Sequence, residues 1–179
     1  MPQAIQVSVN GYTAYTTSAD FCRIFSEEMS SLYLLAFLLT ANAEKAEQCF
    51  VAGIGDSVEG NPVFREWARS WARRTIVLHA IRMMKPAQKT ITIAETEPVR
   101  RNIEPRLRAI LALDTLERFV FVMSGLEGYS DQDCSALLGC SLQTIADARA
   151  RAVQQLANTA EIRDTHEEEL QSGYTLVSN

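Results

Sequence analysis

Residues 116–156 decide the fold: LERFVFVMSGLEGYSDQDCSALLGCSLQTIADARARAVQQL. Apolar side chains recur at helical spacing from Phe119 to Leu126, which predicts a first helix, and Gly128 suits its C-terminal end. Ser130 followed by Asp133 is typical of the N-terminal cap of a second helix. The stretch therefore begins with two helices joined by a short turn that contains glycine.

A third helix follows Gly139, which interrupts the second helix, and it begins with a cap at Ser141 or Thr144. One stripe of this helix carries the apolar residues Ile145, Ala148, Ala152 and Leu156. A short helix, a tight turn and a longer helix predict a helix-turn-helix, and the last helix of such a motif is shaped to enter the major groove of DNA.

The bulk properties of the chain exclude several classes of protein. Its 179 residues are 47% hydrophobic, so the chain is not disordered throughout. The formal net charge of -5 opposes nucleic-acid binding by the whole surface, but the acidic excess lies after residue 112. No segment resembles a signal peptide, and the apolar run at residues 32–39 is too short to span a bilayer. We expect a cytoplasmic protein without membrane insertion.

The N-terminal half begins with a flexible arm at residues 1–19, which has no charged side chain. Asp20 is predicted to cap the first of three helices, and a polar loop at residues 55–62 precedes the third. The helices are predicted at residues 21–39, 43–51 and 63–84. These helices form a first domain at residues 20–85.

The third of these helices is the most basic element of the chain. Its predicted apolar face consists of Phe64, Trp67, Trp71, Leu78 and Ile81. Its arginines are Arg65, Arg69 and Arg73 on the opposite side, with Arg74 and Arg82 nearer the apolar edge. The tryptophans have two open interpretations, as core residues at helical spacing or as platforms on which an unpaired base stacks.

The remaining segments complete an all-α, two-domain prediction. Prolines interrupt residues 86–104, which are read as a linker, and residues 105–157 form a four-helix module ending in the helix-turn-helix. Residues 158–179 are acidic and lack apolar periodicity, which predicts a frayed tail. We expect the two domains to pack together, because a loose linker would expose apolar surface on both.

Two segments, in the expected order, resemble the extracytoplasmic-function sigma factors of bacterial RNA polymerase. The region 4 resemblance rests on Glu117-Arg118, Gly128-Tyr129-Ser130, Leu138-Gly139-Cys140, Thr144-Ile145, Arg151-Ala152 and Leu156. The region 2 resemblance rests on Leu32-Tyr33-Leu34-Leu35-Ala36, on Ala46-Glu47, and on residues 64–82 with Trp67 and Ala72-Arg73. Together they cover about two-thirds of the chain.

The resemblance implies a protein that binds the RNA polymerase core and promoter DNA, and it allows an anti-sigma factor as a further partner. Candidate contacts to the promoter -35 element are Ser141, Gln143, Thr144, Asp147, Arg149 and Arg151. Candidate contacts to the -10 element are Ser57, Asn61, Trp67, Arg69, Arg73, Arg74 and Arg82. Candidate contacts to the polymerase are Glu47 and Gln48.

The recognition helix departs from the family pattern. Where the family has Lys-Ser-Arg-Leu, this chain has Ala146-Asp147-Ala148-Arg149, so we expect weak independent binding to a -35 element. Two interpretations therefore remain open: a divergent sigma factor that reads promoters, or a sigma-like regulator that binds polymerase or an anti-sigma partner without reading DNA.

An enzyme is not expected, because the sequence lacks a glycine-rich phosphate loop and a nucleophile with a base in the same element. The four cysteines, Cys22, Cys49, Cys134 and Cys140, lack paired CxxC spacing and are interpreted as small buried hydrophobic residues. No cofactor and no metal are expected.

Overall fold

The computed structural model describes residues 15–60, 63–87 and 104–175, and the fold is all-α, as predicted. Within these ranges there are eight α-helices. They are α1 (Ser18–Glu27), α2 (Met29–Thr40), α3 (Ala43–Glu59), α4 (Ala68–Met84), α5 (Pro105–Leu111), α6 (Thr115–Phe121), α7 (Asp131–Leu138) and α8 (Leu142–Thr175). Helices α1–α4 pack into an N-terminal bundle and α5–α8 into a C-terminal module. Most of the predicted linker, residues 88–103, and most of the predicted arm, residues 1–14, lie outside the described residues.

The first predicted helix is two helices. The chain turns at Glu28, which ends α1 and begins α2 with φ -104° and ψ 15°. The predicted cap is also wrong, because Thr17 is the N-cap and Asp20 completes its capping box from the third helical position. The break lets α1 and α2 tilt independently, so that each buries its own apolar face.

The predicted polar loop at residues 55–62 is wrong up to Glu59, because α3 continues to that residue. The glycine at position 55 does not end the helix, and α3 carries a further glycine, Gly53, where it contacts α4. A Cβ atom on Gly53 would lie 2.7 Å from Cδ1 of Ile76, so glycine allows α3 and α4 to approach closely. Asn61 lies outside the described residues.

The predicted apolar face of the basic helix is wrong at its start, whereas Trp71 and Ile81 do pack against the core. Phe64 and Trp67 are exposed, since a 3-10 turn at Arg65–Trp67 precedes α4 and moves them out of its helical register. The residues that α4 buries are mostly small: Ala68, Ala72, Thr75, Ile76, Val77 and Ala80. Small side chains bring the backbone of α4 close to α2 and α3.

The C-terminal module contains the predicted helix-turn-helix. Ser130 caps α7 in a capping box with Asp133, and Ser141 caps α8 by accepting a hydrogen bond from the Thr144 backbone N–H at 3.1 Å. Ile145, Ala148 and Ala152 are fully buried, as the predicted stripe requires. The predicted frayed tail at residues 158–179 is wrong in its backbone, because α8 continues to Thr175.

The two helical units pack against each other, as expected. One hydrophobic cluster contains Leu35 and Leu39 of α2 together with Phe119 and Met123 of the C-terminal module. The buried side chain of Arg118 donates a hydrogen bond from Nε to the carbonyl oxygen of Leu39 at 3.3 Å. The end of α2 is therefore an interface between the units.

We predict that Gly139→Ala lowers the free energy of unfolding by about 1–2 kcal/mol, because Gly139 has φ +67° and a left-handed backbone strains a residue with a Cβ. Nothing lies within 4 Å of the position of the added Cβ, so the effect is backbone strain alone. Urea denaturation measures it, with Ala150→Gly as a comparison for an exposed site inside α8, where glycine costs about 1 kcal/mol. An unchanged midpoint for Gly139→Ala would contradict the strain argument.

Candidate nucleic-acid and polymerase interfaces

The exposed face of the recognition helix α8 carries most of the residues predicted to contact a -35 element. Gln143, Asp147, Arg149 and Arg151 are exposed, and Thr144 is half-buried at the cap. Nε2 of Gln143 donates to Oδ1 of Asp147 at 2.8 Å, so the two side chains lie together at the start of the helix. Amide and guanidinium groups on an exposed helix face are the donors that base edges and phosphates require.

Both arginines of this face are paired with carboxylates of the same module. Nη1 of Arg149 lies 2.5 Å from Oδ1 of Asp131, and Nε of Arg151 lies 2.6 Å from Oε1 of Glu117. Only 8% of the Glu117 side chain is exposed, whereas 57% of Arg151 is exposed. Glu117 therefore orients Arg151 while leaving much of its guanidinium in solvent.

The basic helix α4 directs its predicted DNA-binding arginines to three different places. Arg69 forms ion pairs with Glu27 and Glu28 of the N-terminal bundle, and hydrogen bonds to Glu28 raise the pKa of its guanidinium. At the other end of the helix, Nη1 of Arg82 lies 3.8 Å from Oδ2 of Asp56. Arg73 crosses to the C-terminal module.

The Arg73 contact is a bidentate ion pair with Glu127. Nε lies 2.7 Å from Oε2, and Nη2 lies 2.5 Å from Oε1. Burial raises the pKa of Tyr129, hydrogen bonds with Ser130 lower the pKa of Asp133, and the nearby charge of Arg74 acts on both in the lowering direction. The Arg73 and Arg74 side chains are thus placed at the boundary between the two units.

The aromatic residues before α4 form an exposed cluster. The rings of Tyr15 and Phe64 stack with centroids 4.8 Å apart, and Phe64 meets Trp67 edge-on at 5.2 Å. Trp67 is 58% exposed, so the core interpretation fails for it, whereas Trp71 is half-buried against the core. Thr16 anchors Tyr15 by donating its backbone N–H to the Val63 carbonyl at 2.8 Å.

Ser57 does not lie on a loop. Its side chain is buried in α3, and Oγ lies 3.4 Å from Oγ1 of Thr75. It therefore contacts α4 and has no access to a base edge. The sequence suggested otherwise because Gly55 and Gly60 flank it.

The outer face of α3 holds Glu47 and Gln48, which are both exposed. Nε2 of Gln48 lies 3.4 Å from Oε1 of Glu44. Val51, one turn further along, is 60% exposed and was not singled out from the sequence. An exposed apolar side chain beside carboxylate and amide groups is suited to a protein contact.

Sequence reasoning missed the acidic residues that hold the arginines: Glu28, Asp56, Glu117, Glu127 and Asp131. Each arginine is at least 18 residues from its partner, since the shortest separation is that of Asp131 and Arg149. Only the i,i+4 spacing of a helix makes such pairs visible in a sequence. No local signal therefore exists for these contacts.

Two of the four cysteines, Cys49 and Cys134, are buried as expected, whereas Cys22 is exposed and Cys140 is half-buried. Burial raises the pKa of Cys49 and of Cys134 to about 11, so both thiols stay protonated at neutral pH. Among the described residues, no three His, Cys, Asp or Glu side chains are grouped to hold a metal ion. In the same ranges, no helix is long and apolar enough to cross a membrane.

Comparison with known proteins identifies the C-terminal module. Residues 107–156 match the family model described as sigma-70, region 4. The solved structure of the sigma factor RpoE in complex with the anti-sigma factor NepR, from Bartonella quintana, is 17% identical, with 80% of this chain and 98% of that chain covered and a TM-score of 0.49. No curated protein matches the chain. The resemblance of the helix-turn-helix module to sigma region 4 is thereby confirmed over residues 107–156.

Proposed function

We propose that the protein is an alternative sigma factor of the extracytoplasmic-function type, which binds core RNA polymerase and directs transcription initiation at specific promoters. The observation that carries the proposal is the region 4 match over a helix-turn-helix whose recognition helix exposes Gln143, Arg149 and Arg151. Exposed amide and guanidinium groups on such a helix suit the major groove of a -35 element. The proposal assigns the chain no catalytic step of its own, and it places the protein in the cytoplasm, where polymerase acts.

The N-terminal bundle would serve the -10 element. Trp67 supports this role because its ring is exposed and braced by Phe64, which leaves a face on which an unpaired base stacks. Arg69, Arg73, Arg74 and Arg82 follow it along α4, and their guanidinium groups are donors of the kind that phosphates accept. Ser57 is omitted from this role because it is buried.

The polymerase contact is proposed on the outer face of α3, where Glu47, Gln48 and Val51 are all exposed. Protein interfaces combine apolar side chains at the centre with polar side chains at the rim, and this face of α3 carries both kinds. An anti-sigma factor that covers this face of α3 would regulate the protein by preventing contact with the polymerase. One that covers the proposed DNA-binding residues would regulate it by preventing contact with DNA.

A second function is favoured by one observation. The two arginines of the recognition helix are already paired, Arg149 with Asp131 and Arg151 with Glu117. A helix whose cations are neutralised within its own module suits a sigma-like regulator that binds polymerase or an anti-sigma factor without reading DNA.

Binding to purified core polymerase, followed by run-off transcription on sheared genomic DNA from the same cell, distinguishes the two functions. A sigma factor binds core and yields new transcripts, whose start sites identify its promoters. Core binding without transcripts would support the regulator, and the absence of core binding would contradict both polymerase-binding proposals.

We predict that Arg151→Ala weakens binding to a cognate -35 duplex by about 1–3 kcal/mol, because a guanidinium that Glu117 orients can contact a base edge. Fluorescence anisotropy with cognate and scrambled duplexes measures the effect. Lys45→Ala, on α3, removes the same charge from an exposed site in the other bundle and serves as the control. If both variants bind the cognate duplex as the wild type does, Arg151 is a solvated cation.

A further inference from the structure

We propose that Arg73 and Glu127 form an autoinhibitory latch, which closes the two helical units and withholds Arg73 from DNA in the free protein. The inference rests on the proposed function, because it takes Arg73 as a residue that contacts promoter DNA. It adds a mechanism by which a contact within the single chain inhibits that function. Promoter binding would then require the pair to separate.

The contact joins the two units through two edges of one guanidinium. Arg73 offers Nε and Nη2 to the two carboxylate oxygens of Glu127, at 2.7 Å and 2.5 Å, and the residues are 54 positions apart. Its third nitrogen, Nη1, donates to Oγ of Ser31 on α2 at 3.1 Å. A bidentate, charge-assisted pair of this kind is both strong and directional.

Burial makes the contact more than a surface ion pair. Only 6% of the Glu127 side chain is exposed, and 32% of Arg73 is exposed. A carboxylate that is nearly buried needs its cation, since an unpaired buried charge costs several kcal/mol. Arg73 therefore stabilises the closed arrangement of the two units, in addition to the hydrophobic cluster that spans them.

The backbone around Glu127 holds the carboxylate in place. Residues Val122–Leu126 form a π-helical turn, and the Glu127 N–H donates to the Val122 carbonyl at 3.0 Å. Gly128 follows with φ +73°, and the Tyr129 N–H donates to the Met123 carbonyl at 2.9 Å. The turn that leads into the helix-turn-helix thus presents Glu127 to α4 rigidly.

The Arg73 guanidinium cannot bind a phosphate while it is bound to Glu127. All three nitrogens of Arg73 have partners in the closed form, and the Glu127 charge repels an approaching phosphate. A groove of about 500 Å³ beside the pair, lined by Ser70, Arg74 and Tyr129 among others, leaves it reachable by a competing anion. A DNA phosphate would then replace Glu127, so that opening and DNA binding are linked.

The test compares Glu127→Gln with Glu27→Gln in the full chain. Glu127→Gln removes the charge across the two units, whereas Glu27→Gln removes the same charge from a partner of Arg69 within the N-terminal bundle. Two readouts are used: the distance between spin labels at Lys45→Cys and Val153→Cys, with Cys22 and Cys140 replaced by serine, and binding to a forked -10 DNA with one strand unpaired.

We expect Glu127→Gln to raise the population of long label distances about tenfold and to tighten binding to the forked DNA by a similar factor, because affinity is proportional to the open fraction. Glu27→Gln should leave the distances unchanged. Unchanged distances in both variants would overturn the latch.

The exchange of the two side chains, Arg73→Glu with Glu127→Arg, separates a failed latch from a failed function. The ion pair is restored with its charges reversed, so the short label distances should return. Position 73 of α4 then carries a carboxylate instead of a guanidinium. DNA binding should then be lost. If long distances persist in the exchange variant, the pair is not what closes the units. If no variant binds forked DNA although the distances change as expected, the latch stands and the proposed -10 function fails.

Discussion

Replacing Arg73 and Arg74 together by alanine is expected to lower open-complex formation about 100-fold or more. Both residues lie on α4, about two turns beyond the exposed Trp67, where an unpaired strand would cross the helix. Each charge-assisted hydrogen bond contributes about 1.5–3 kcal/mol, so the loss of two corresponds to at least about 3 kcal/mol. Permanganate footprinting of unpaired thymines in a core–protein–promoter complex measures the open state.

The appropriate control is Arg23→Ala, which removes an exposed cation of α1 that pairs with Asp20 of the same helix. It should leave strand opening unchanged. Because Arg73 also closes the two units, the double variant must be compared with Glu127→Gln, which opens them but keeps both arginines. Normal footprints in the double variant would refute the assignment of α4 to the -10 element.

Phe119→Ala is expected to lower the free energy of unfolding by about 3–5 kcal/mol. Phe119 has no exposed surface and is the largest fully buried side chain among the described residues. It also belongs to the cluster that spans both units, so a cavity there weakens the C-terminal module and its contact with α2 together. Urea denaturation monitored by circular dichroism measures the loss.

Leu126→Ala provides the comparison, because Leu126 lies in the same module but is half exposed. Its substitution should change the free energy of unfolding by less than about 0.5 kcal/mol. A loss of similar size for the two variants would mean that the core of the module is not centred on Phe119.

The Glu117-Arg118 pair of the region 4 resemblance has two structural roles. Glu117 holds Arg151 of the recognition helix at 2.6 Å, and Arg118 donates to the carbonyls of Leu39 and Leu113. One residue therefore orients an arginine of the proposed DNA-binding surface, and its neighbour contacts the N-terminal bundle. Helix α6 links that surface to the interface between the units.

The sequence predicted the helix-turn-helix well because its signals are local. The Ser130 cap, the left-handed Gly139 and the stripe from Ile145 to Ala152 all act within one or two helical turns. The sequence-based prediction failed where one local pattern is compatible with two different structures. Gly55 and Gly60 suggested a loop although α3 continues to Glu59, and Phe64 was placed on an apolar helix face although it is exposed before α4 begins.

By itself, the sequence determined the helices of the region 4 module, their caps and the apolar face of α8, since hydrogen bonds and side-chain spacing within a helix depend on near neighbours. Only the tertiary structure decided which cations are available to DNA. Arg73 meets Glu127 across 54 residues and Arg151 meets Glu117 across 34. Such pairings arise when helices pack, because burial brings a carboxylate and a guanidinium together that no sequence period relates.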